Sequence, residues 1–225
     1  MLTPYATEFR RLSSIGAGAQ LRDRESAAFG LDGLVKTYHR DEEIYAEGDR
    51  PEFVYEVLDG AVRTCRLLSD GRRQIEDFHF AGDCFGLELG VSHRTTAEAL
   101  GQASVRVVRR SAVSELAARD HEAARRLWRL TADELRRSQE HVMMLGRRSA
   151  TERVAGFLLD LVRRTDAEDE LDLAMSRQDI ADYLGLTIET VSRTFTQLQA
   201  NRHITTHGCR HIVLCDAERL AELCS

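Results

Sequence analysis

The hydrophobic periodicity of this 225-residue chain changes at Ser111, and this change constrains the fold more than any other feature. From residue 33 to residue 110, short apolar runs are separated by turn signals such as Asp59-Gly60 and Asp70-Gly71. From Ser111 to about residue 164 the chain contains no proline, and apolar residues recur at helical spacing. The pattern therefore predicts an α+β protein in which a β-sandwich or jelly roll precedes several helices.

The composition is that of a globular protein, with 43% hydrophobic and 30% charged residues. No apolar run approaches the roughly 18 residues of a membrane span, and the N-terminus lacks the features of a signal peptide. We therefore expect a cytoplasmic protein with no membrane partner. The cysteines are odd in number and irregularly spaced, which predicts reduced thiols rather than a disulfide framework; they are Cys65, Cys84, Cys209, Cys215 and Cys224.

The net charge of −6 is unusual for a nucleic-acid-binding protein, because such proteins present a basic surface to phosphates. The distribution of charge is more informative than the sum. Between residues 187 and 213 the single acid is Glu189, and the same segment carries three arginines and three histidines. A local basic surface is therefore predicted near the C-terminus.

A long helix is predicted in the middle of the chain. Six of its residues alternate in spacing between three and four and so share one helical stripe; they are Leu127, Leu130, Glu134, Ser138, His141 and Leu145. Such a stripe must be buried, either against a second copy of the helix or against the β domain. Periodicity alone leaves both alternatives open.

Residues 176–198 have the pattern of a helix-turn-helix. Ser176 and Asp179 are predicted to form an N-terminal capping box, and Gly185 provides the positive φ of a sharp turn. Thr187 is predicted to cap the second helix. The apolar side of that second helix is predicted to consist of Ile188, Val191, Phe195 and Leu198.

The opposite side of the second helix carries candidate DNA-reading residues. Glu189, Ser192 and Arg193 stand at i, i+3 and i+4 in the N-terminal half, the half that enters the major groove in helix-turn-helix proteins. Arginine bridges guanine O6 and N7, glutamate accepts from cytosine N4, and serine bonds to either edge. An ordinary solvated helix face is the alternative. Residues 204–214 then form a predicted hairpin around Gly208, typical of the wing of a winged helix.

These motifs resemble the CRP/FNR superfamily of transcription regulators. Residues 175–193, MSRQDIADYLGLTIETVSR, are similar to its DNA-binding signature, and E-x-x-S-R at residues 189–193 is the form of the FNR and FixK branches. Residues 140–157, EHVMMLGRRSATERVAGF, resemble its dimerisation helix and the start of the next helix, and residues 82–86, GDCFG, its β-roll signature. The resemblance covers roughly residues 30–215.

The resemblance implies an N-terminal arm or short helices (1–30), a cyclic-nucleotide-binding-like β-roll (31–118), a dimerisation helix (119–147) and a winged helix-turn-helix DNA-binding domain (148–225). It implies a homodimer that binds double-stranded DNA and RNA polymerase, with TTGA half-sites. It assigns base reading to Glu189, Ser192 and Arg193. It assigns phosphate contacts to Ser176, Arg177, Gln178 and Thr190, and helix N-termini suit phosphate on physical grounds as well.

The sequence departs from the ligand-binding members of this family. Leu87 stands where cyclic-AMP binders have a ribose-binding glutamate, and Thr95 where they have the phosphate-binding arginine. Arg94 is one residue early, and such a slip points a strand side chain to the opposite face. Four cysteines at the spacing of an iron–sulfur site are absent from the N-terminal region. We therefore expect no cofactor and a FixK-like regulator, an activator of genes for low-oxygen respiration.

Two other interpretations remain open. A haem-containing gas sensor of the same fold would use a histidine ligand; the candidates are His39, His79, His93, His121 and His141. A cupin-like metalloenzyme would share the jelly roll, but its H-x-H metal motif does not occur in the β region. We therefore expect neither an enzyme nor a metal site.

Cys209 is a candidate redox-sensitive thiol. It lies beside Gly208 at the predicted tip of the wing and is flanked by His207, Arg210 and His211. Positive neighbours favour the thiolate, the form that oxidants attack. The alternative is a small residue tolerated in a turn.

Overall fold

The N-terminal half is built from strands in a computed structural model that describes residues 28–147, 149–165, 167 and 169–224. The arm predicted over residues 1–30 lies almost entirely outside these described residues. The strands of this half are β1 Leu34–Tyr38, β2 Glu43–Tyr45, β3 Phe53–Asp59, β4 Ala61–Leu67, β5 Arg73–Phe80, β6 Cys84–Phe85, β7 Thr96–Ala99 and β8 Ala103–Arg109.

The strands form two antiparallel sheets that pack face to face. One sheet has the order β1-β8-β3-β6 and the other the order β2-β7-β4-β5. Val57 and Val105 from the first sheet share a buried cluster with Val62 and Ala97 from the second. The predicted β-roll is thus confirmed, and the turns at residues 59–60 and 69–72 fall between β3, β4 and β5 as expected.

Three helices follow the β-roll, α1 Arg110–Arg119, α2 His121–Arg147 and α3 Ala150–Thr165. Leu127 and Leu130 of α2 pack against the β-roll cluster that contains Val54 and Val108. Of the two alternatives left open for the predicted stripe, packing against the β domain is therefore the one observed at these leucines. In the described part of the chain, no helix combines the length and apolar character needed to cross a membrane.

A different stripe of α2 stays exposed. Trp128, Leu135 and Val142 are seven residues apart, and 76%, 60% and 64% of their surfaces are accessible. A spacing of seven keeps side chains on one line along a helix. The long helix therefore presents two apolar faces, one toward its own β-roll and one toward solvent.

The C-terminal part contains β9 Glu170–Asp172, α4 Arg177–Leu184, α5 Ile188–Ala200, β10 Ile204–His207, β11 His211–Leu214 and α6 Ala217–Glu222. The predicted wing hairpin is formed by β10 and β11, and β9 extends it into a sheet of order β10-β11-β9. Strand β9 begins at Glu170 because Leu171 is buried opposite Ile212.

One hydrophobic core crosses from the β-roll into the helical part. Ile75 and Phe78 of β5 belong to the same buried cluster as Phe157 of α3 and Tyr183 and Leu184 of α4. Phe78 lies 6.1 Å from Phe157 and 5.1 Å from Tyr183 between ring centroids. Strand β5 therefore joins the two parts of the molecule.

Candidate DNA-binding surface

The first helix of the motif, α4, begins with the predicted capping box. The Ser176 hydroxyl accepts from the backbone N–H of Asp179 at 3.1 Å, and the Asp179 carboxylate accepts from the backbone N–H of Ser176 at 2.9 Å. Gly185 ends the helix at φ 62° and ψ 39°, where a side chain would be strained. Both ends of α4 are therefore set by local sequence.

The second helix, α5, begins at the predicted cap, since the Thr187 hydroxyl accepts from the backbone N–H of Thr190 at 3.2 Å. Its buried side consists of Val191, Thr194, Phe195 and Leu198. The prediction was wrong for Ile188, which is 37% exposed in the first turn. Thr194 is buried instead, because its hydroxyl is satisfied by the carbonyl of Thr190 at 2.8 Å.

Glu189, Ser192 and Arg193 lie together on the exposed side of α5. Hydrogen bonds from its own backbone N–H and from the Thr187 hydroxyl lower the pKa of Glu189, which is therefore ionised at neutral pH. Among the described residues, the Arg193 guanidinium makes only long contacts, to the Glu189 carbonyl at 3.4 Å and to the Thr190 hydroxyl at 3.5 Å. All three side chains can therefore reach a ligand outside the protein.

The candidate phosphate ligands surround the start of both helices. Ser176 is half-buried and engaged in its cap, and Thr190 shares a hydrogen bond of 3.1 Å with Thr187. Gln178 is exposed and donates to Asp182 at 2.6 Å. Each therefore has an intramolecular partner already, and a phosphate oxygen would compete for Gln178 or bind the N–H groups at these helix ends.

Arg177 links the start of α4 to α5. Its guanidinium lies 3.3 Å from the centroid of the Phe195 ring, and its buried Nη1 has no hydrogen-bond partner among the described residues. Burial lowers the pKa of Arg177 to about 10, with nearby Cys209 acting in the opposite direction. The guanidinium is still charged at neutral pH, but its unsatisfied Nη1 is buried, so an anion reaches this donor only when the side chain shifts.

Cys209 is exposed in the turn between β10 and β11, next to Gly208 at φ 69°. The surroundings of Cys209 were expected to contain only basic residues, but acidic residues also lie near its neighbour His211. Because β9 pairs with β11, the His211 imidazole lies 2.9 Å from the carboxylate of Asp172 and 3.9 Å from that of Glu170. Sequence reasoning missed both acids, although the alternating polar and apolar residues from Glu170 to Leu173 are the pattern of a strand.

The β-roll contains a cavity of about 440 Å³ between β5, the segment after β6, and α2. Four carboxylates line it, Glu76, Asp77, Glu88 and Glu134. Burial raises the pKa of Glu76, and it raises that of Glu134 to about 7. Of the lining arginines, Arg94 is exposed and Arg137 is paired with Asp77 at 3.3 Å.

The residues that replace the nucleotide clamp are themselves buried. Leu87 packs in the cluster with Val54 and Val108, and Thr95 interacts with Tyr45. Both positions are therefore occupied by contacts within the protein.

Three of the five histidines considered as haem ligands have partners. His93 stacks on Tyr45 at 3.7 Å and lies 2.5 Å from Glu88, while His141 stacks on Tyr183 at 3.9 Å. Nε2 of His79 bonds to the Thr64 hydroxyl at 3.2 Å, and burial lowers the pKa of His79. Within the described ranges, no three His, Cys, Asp or Glu side chains are grouped to hold a metal ion.

A β-roll joined to a winged helix-turn-helix with an open reading face defines a DNA-binding transcription regulator. Two family models match the chain, the cyclic nucleotide-binding domain over residues 35–120 and the Crp-like helix-turn-helix domain over residues 152–223. The chain is 44% identical over 213 residues to the nitrogen fixation regulation protein FixK of Azorhizobium caulinodans, covering 92% of this chain and 86% of that protein.

Two further relatives agree. FixK of Rhizobium meliloti is 44% identical over 192 residues, covering 85% of this chain and 88% of that protein. The structure of FixK2 from Bradyrhizobium japonicum matches with a TM-score of 0.83 and 50% identity, covering 87% of this chain and 98% of that one. The chain belongs to the FixK type of the CRP/FNR family of transcription regulators. The prediction of a regulator rather than a cupin-like enzyme is thereby confirmed.

Proposed function

We propose that this protein binds TTGA half-sites and their inverted TCAA repeats as a homodimer, and activates transcription with RNA polymerase. The carrying observation is the exposed group of Glu189, Ser192 and Arg193 on the N-terminal half of α5. Arg193 suits the guanine of the half-site, and ionised Glu189 suits the amino group of a cytosine. Ser176, Arg177, Gln178 and Thr190 are the proposed phosphate contacts that orient α5.

The proposed dimer forms along the exposed stripe of α2. Trp128, Leu135 and Val142 present apolar surface at heptad spacing on a helix of 27 residues. Pairing with a second copy removes all three from water in both chains. A two-fold axis between the paired helices sets the two reading helices against inverted half-sites about one helical turn apart.

The proposed regulator works without a nucleotide. Four carboxylates line the β-roll cavity; Arg137 is already paired with Asp77, and Arg94 is exposed to solvent, so a phosphate there would be surrounded mainly by negative charge. By resemblance to FixK-like regulators, the target genes serve low-oxygen respiration.

The first prediction tests DNA recognition and nucleotide independence together. The purified protein is expected to bind a duplex with TTGA and TCAA half-sites far more tightly than a scrambled duplex, with an affinity that falls as salt rises. Millimolar cyclic AMP is expected to leave the dissociation constant unchanged. Fluorescence-anisotropy titrations with both duplexes, with and without nucleotide, measure this. Equal affinity for the two duplexes would contradict recognition of TTGA. A gain in affinity on adding cyclic AMP would contradict nucleotide independence.

The second prediction concerns Cys209. Two equivalents of peroxide convert a thiol, through its thiolate, to a sulfinate with release of a proton and two waters, which replaces a neutral group by a permanent negative charge. Cys209 is exposed on the wing and lies close enough to Arg177 to interact with it electrostatically. Oxidation is therefore expected to weaken binding to the TTGA duplex several-fold, because the new charge opposes the phosphates.

Cys215 provides the matched control, since it is also an exposed cysteine of the wing region. Mild peroxide is expected to weaken binding by wild type and Cys215→Ser alike, and to leave Cys209→Ser unaffected. An equal loss in Cys209→Ser would assign the sensitivity to another residue.

A further inference from the structure

Asp179 has a second role besides capping α4. Its Oδ1 lies 3.2 Å from Nη1 of Arg63 on β4 and 2.6 Å from Nη2 of Arg73 on β5, while its Oδ2 completes the capping box. Arg63 and Asp179 are almost fully buried, with 7% and 5% of their side chains exposed. Arg73 also bonds to Asp182, one turn further along α4, at 2.8 Å. One carboxylate therefore caps the first helix of the DNA-binding motif and ties it to the β-roll.

A second set of ion pairs involves Asp77 of β5 and Asp83, which follows the strand. Arg164 of α3 bonds to Asp77 at 3.0 Å and to Asp83 at 2.9 Å, and Arg137 of α2 lies 3.3 Å from Asp77. Burial alone would raise the pKa of Asp77, but His79, Arg164 and Arg137 outweigh it and the pKa is lowered. Asp77 is thus held in its charged form between the β-roll and two helices.

Aromatic contacts add to these two sets of ion pairs. Phe78 of β5 packs on Phe157 and Tyr183. The His141 ring also stacks on Tyr183, and its Nε2 lies 2.8 Å from the Tyr183 carbonyl oxygen. The interface of β5 therefore combines two sets of ion pairs with aromatic packing, an arrangement that specifies one orientation of α4 relative to the β-roll.

This orientation leaves the reading face open. Glu189, Ser192 and Arg193 remain exposed while α4 is docked on β5. We propose that Arg63 and Arg73, through Asp179 and Asp182, are positioning residues that hold the winged helix in its DNA-binding orientation in place of a small ligand. The inference rests on the proposed function, because its effect is read through DNA binding.

The effect of breaking the contact follows from its geometry. A glutamate at position 73 would face the carboxylates of Asp179 and Asp182 and repel both. Fewer molecules would then hold α4 docked on β5. The apparent affinity for DNA falls in proportion to the fraction of molecules in the binding-competent orientation. A fall of that fraction to about a tenth reduces affinity about 10-fold for each protomer.

The experiment compares Arg73→Glu with Arg72→Glu. Both make the same charge change on one hairpin, but Arg72 is 78% exposed and pairs with Asp70 of its own turn. Titrations with the TTGA duplex and a scrambled duplex are combined with hydrogen–deuterium exchange of α4 and β5. We expect Arg73→Glu to lose about 10-fold or more in affinity for the TTGA duplex. Arg72→Glu is expected to lose little, and binding to the scrambled duplex should change equally in both variants.

Two further variants separate positioning from general destabilisation. Arg73→Lys keeps the charge and is expected to retain binding. The double variant Arg73→Glu with Asp182→Arg restores an opposite-charge pair and is expected to recover affinity relative to Arg73→Glu alone. Exchange should rise at α4 and β5 in Arg73→Glu and stay unchanged in β3 and β8.

Equal TTGA binding by Arg73→Glu and Arg72→Glu would overturn the inference. Tighter binding by Arg73→Glu would also overturn it, since the docked orientation would then be inhibitory. A wild-type protein that does not distinguish the two duplexes would instead overturn the proposed function, and this inference with it.

Discussion

Leu135→Glu is expected to convert the protein to a monomer and to reduce its affinity for the TTGA palindrome by about 100-fold or more, the lower range of what linking two binding sites contributes. Leu135 is the middle residue of the exposed α2 stripe, and in a paired helix it would meet its own copy. Two glutamates buried face to face repel each other and lose their hydration. Light scattering after size-exclusion chromatography and DNA titration measure the two effects.

Arg129→Glu provides the control for this change. Arg129 is exposed on the same helix, but at 3.6 residues per turn it points away from the line of Trp128 and Leu135. It is expected to remain a dimer. Since Leu135 is already 60% exposed in the single chain, the helical circular dichroism of Leu135→Glu should match wild type. A folded Leu135→Glu that stays dimeric would show that the chains associate elsewhere.

Arg193→Ala is expected to weaken binding to the TTGA site by roughly 1–3 kcal/mol for each half-site, and to remove the preference for its G·C pair. Arg193 is exposed on α5, and no short hydrogen bond within the part of the chain that the structure describes competes with the guanine edge for its guanidinium. Titration of wild type and variant against the TTGA duplex and a duplex altered at this base pair gives the specificity ratio. An unchanged ratio would contradict the assigned role.

Arg177→Ala tests a proposed phosphate contact and is compared with Arg193→Ala, which tests a base contact. It is expected to weaken binding to every duplex and to reduce the slope of affinity against salt, without changing the specificity ratio. Because Arg177 stacks on Phe195, Arg177→Lys is measured beside it to separate the loss of charge from the loss of packing.

Local signals in the sequence predicted the elements of the DNA-binding motif. The capping box of Ser176 and Asp179, the positive φ of Gly185 and the cap at Thr187 each depend on neighbouring residues, and all three occur in the structure. The β3–β4 and β4–β5 turns were predicted for the same reason, since their Gly and Asp residues define them locally.

Features that depend on distant partners were not predictable in this way. The 3-4 spacing from Leu127 to Leu145 identified one face of α2, apolar at its ends and polar in the middle, but not what covers it, and the β-roll covers Leu127 and Leu130. The exposed stripe through Leu135 was overlooked, because residues seven apart give a sparser signal. Likewise, Asp179 and Arg63 are 116 positions apart, and nothing near either residue indicates the other.

The core shared by β5, α3 and α4 also bears on how such a protein evolves. Selection for nucleotide binding can relax at Leu87 and Thr95 without exposing the winged helix to water, because Phe78 still covers Phe157 and Tyr183. Such a β-roll is therefore kept as half of a packing interface, whether or not it binds a ligand. For the same reason, a chimera that joins this winged helix to the β-roll of another family member must carry the surface of β5 with it.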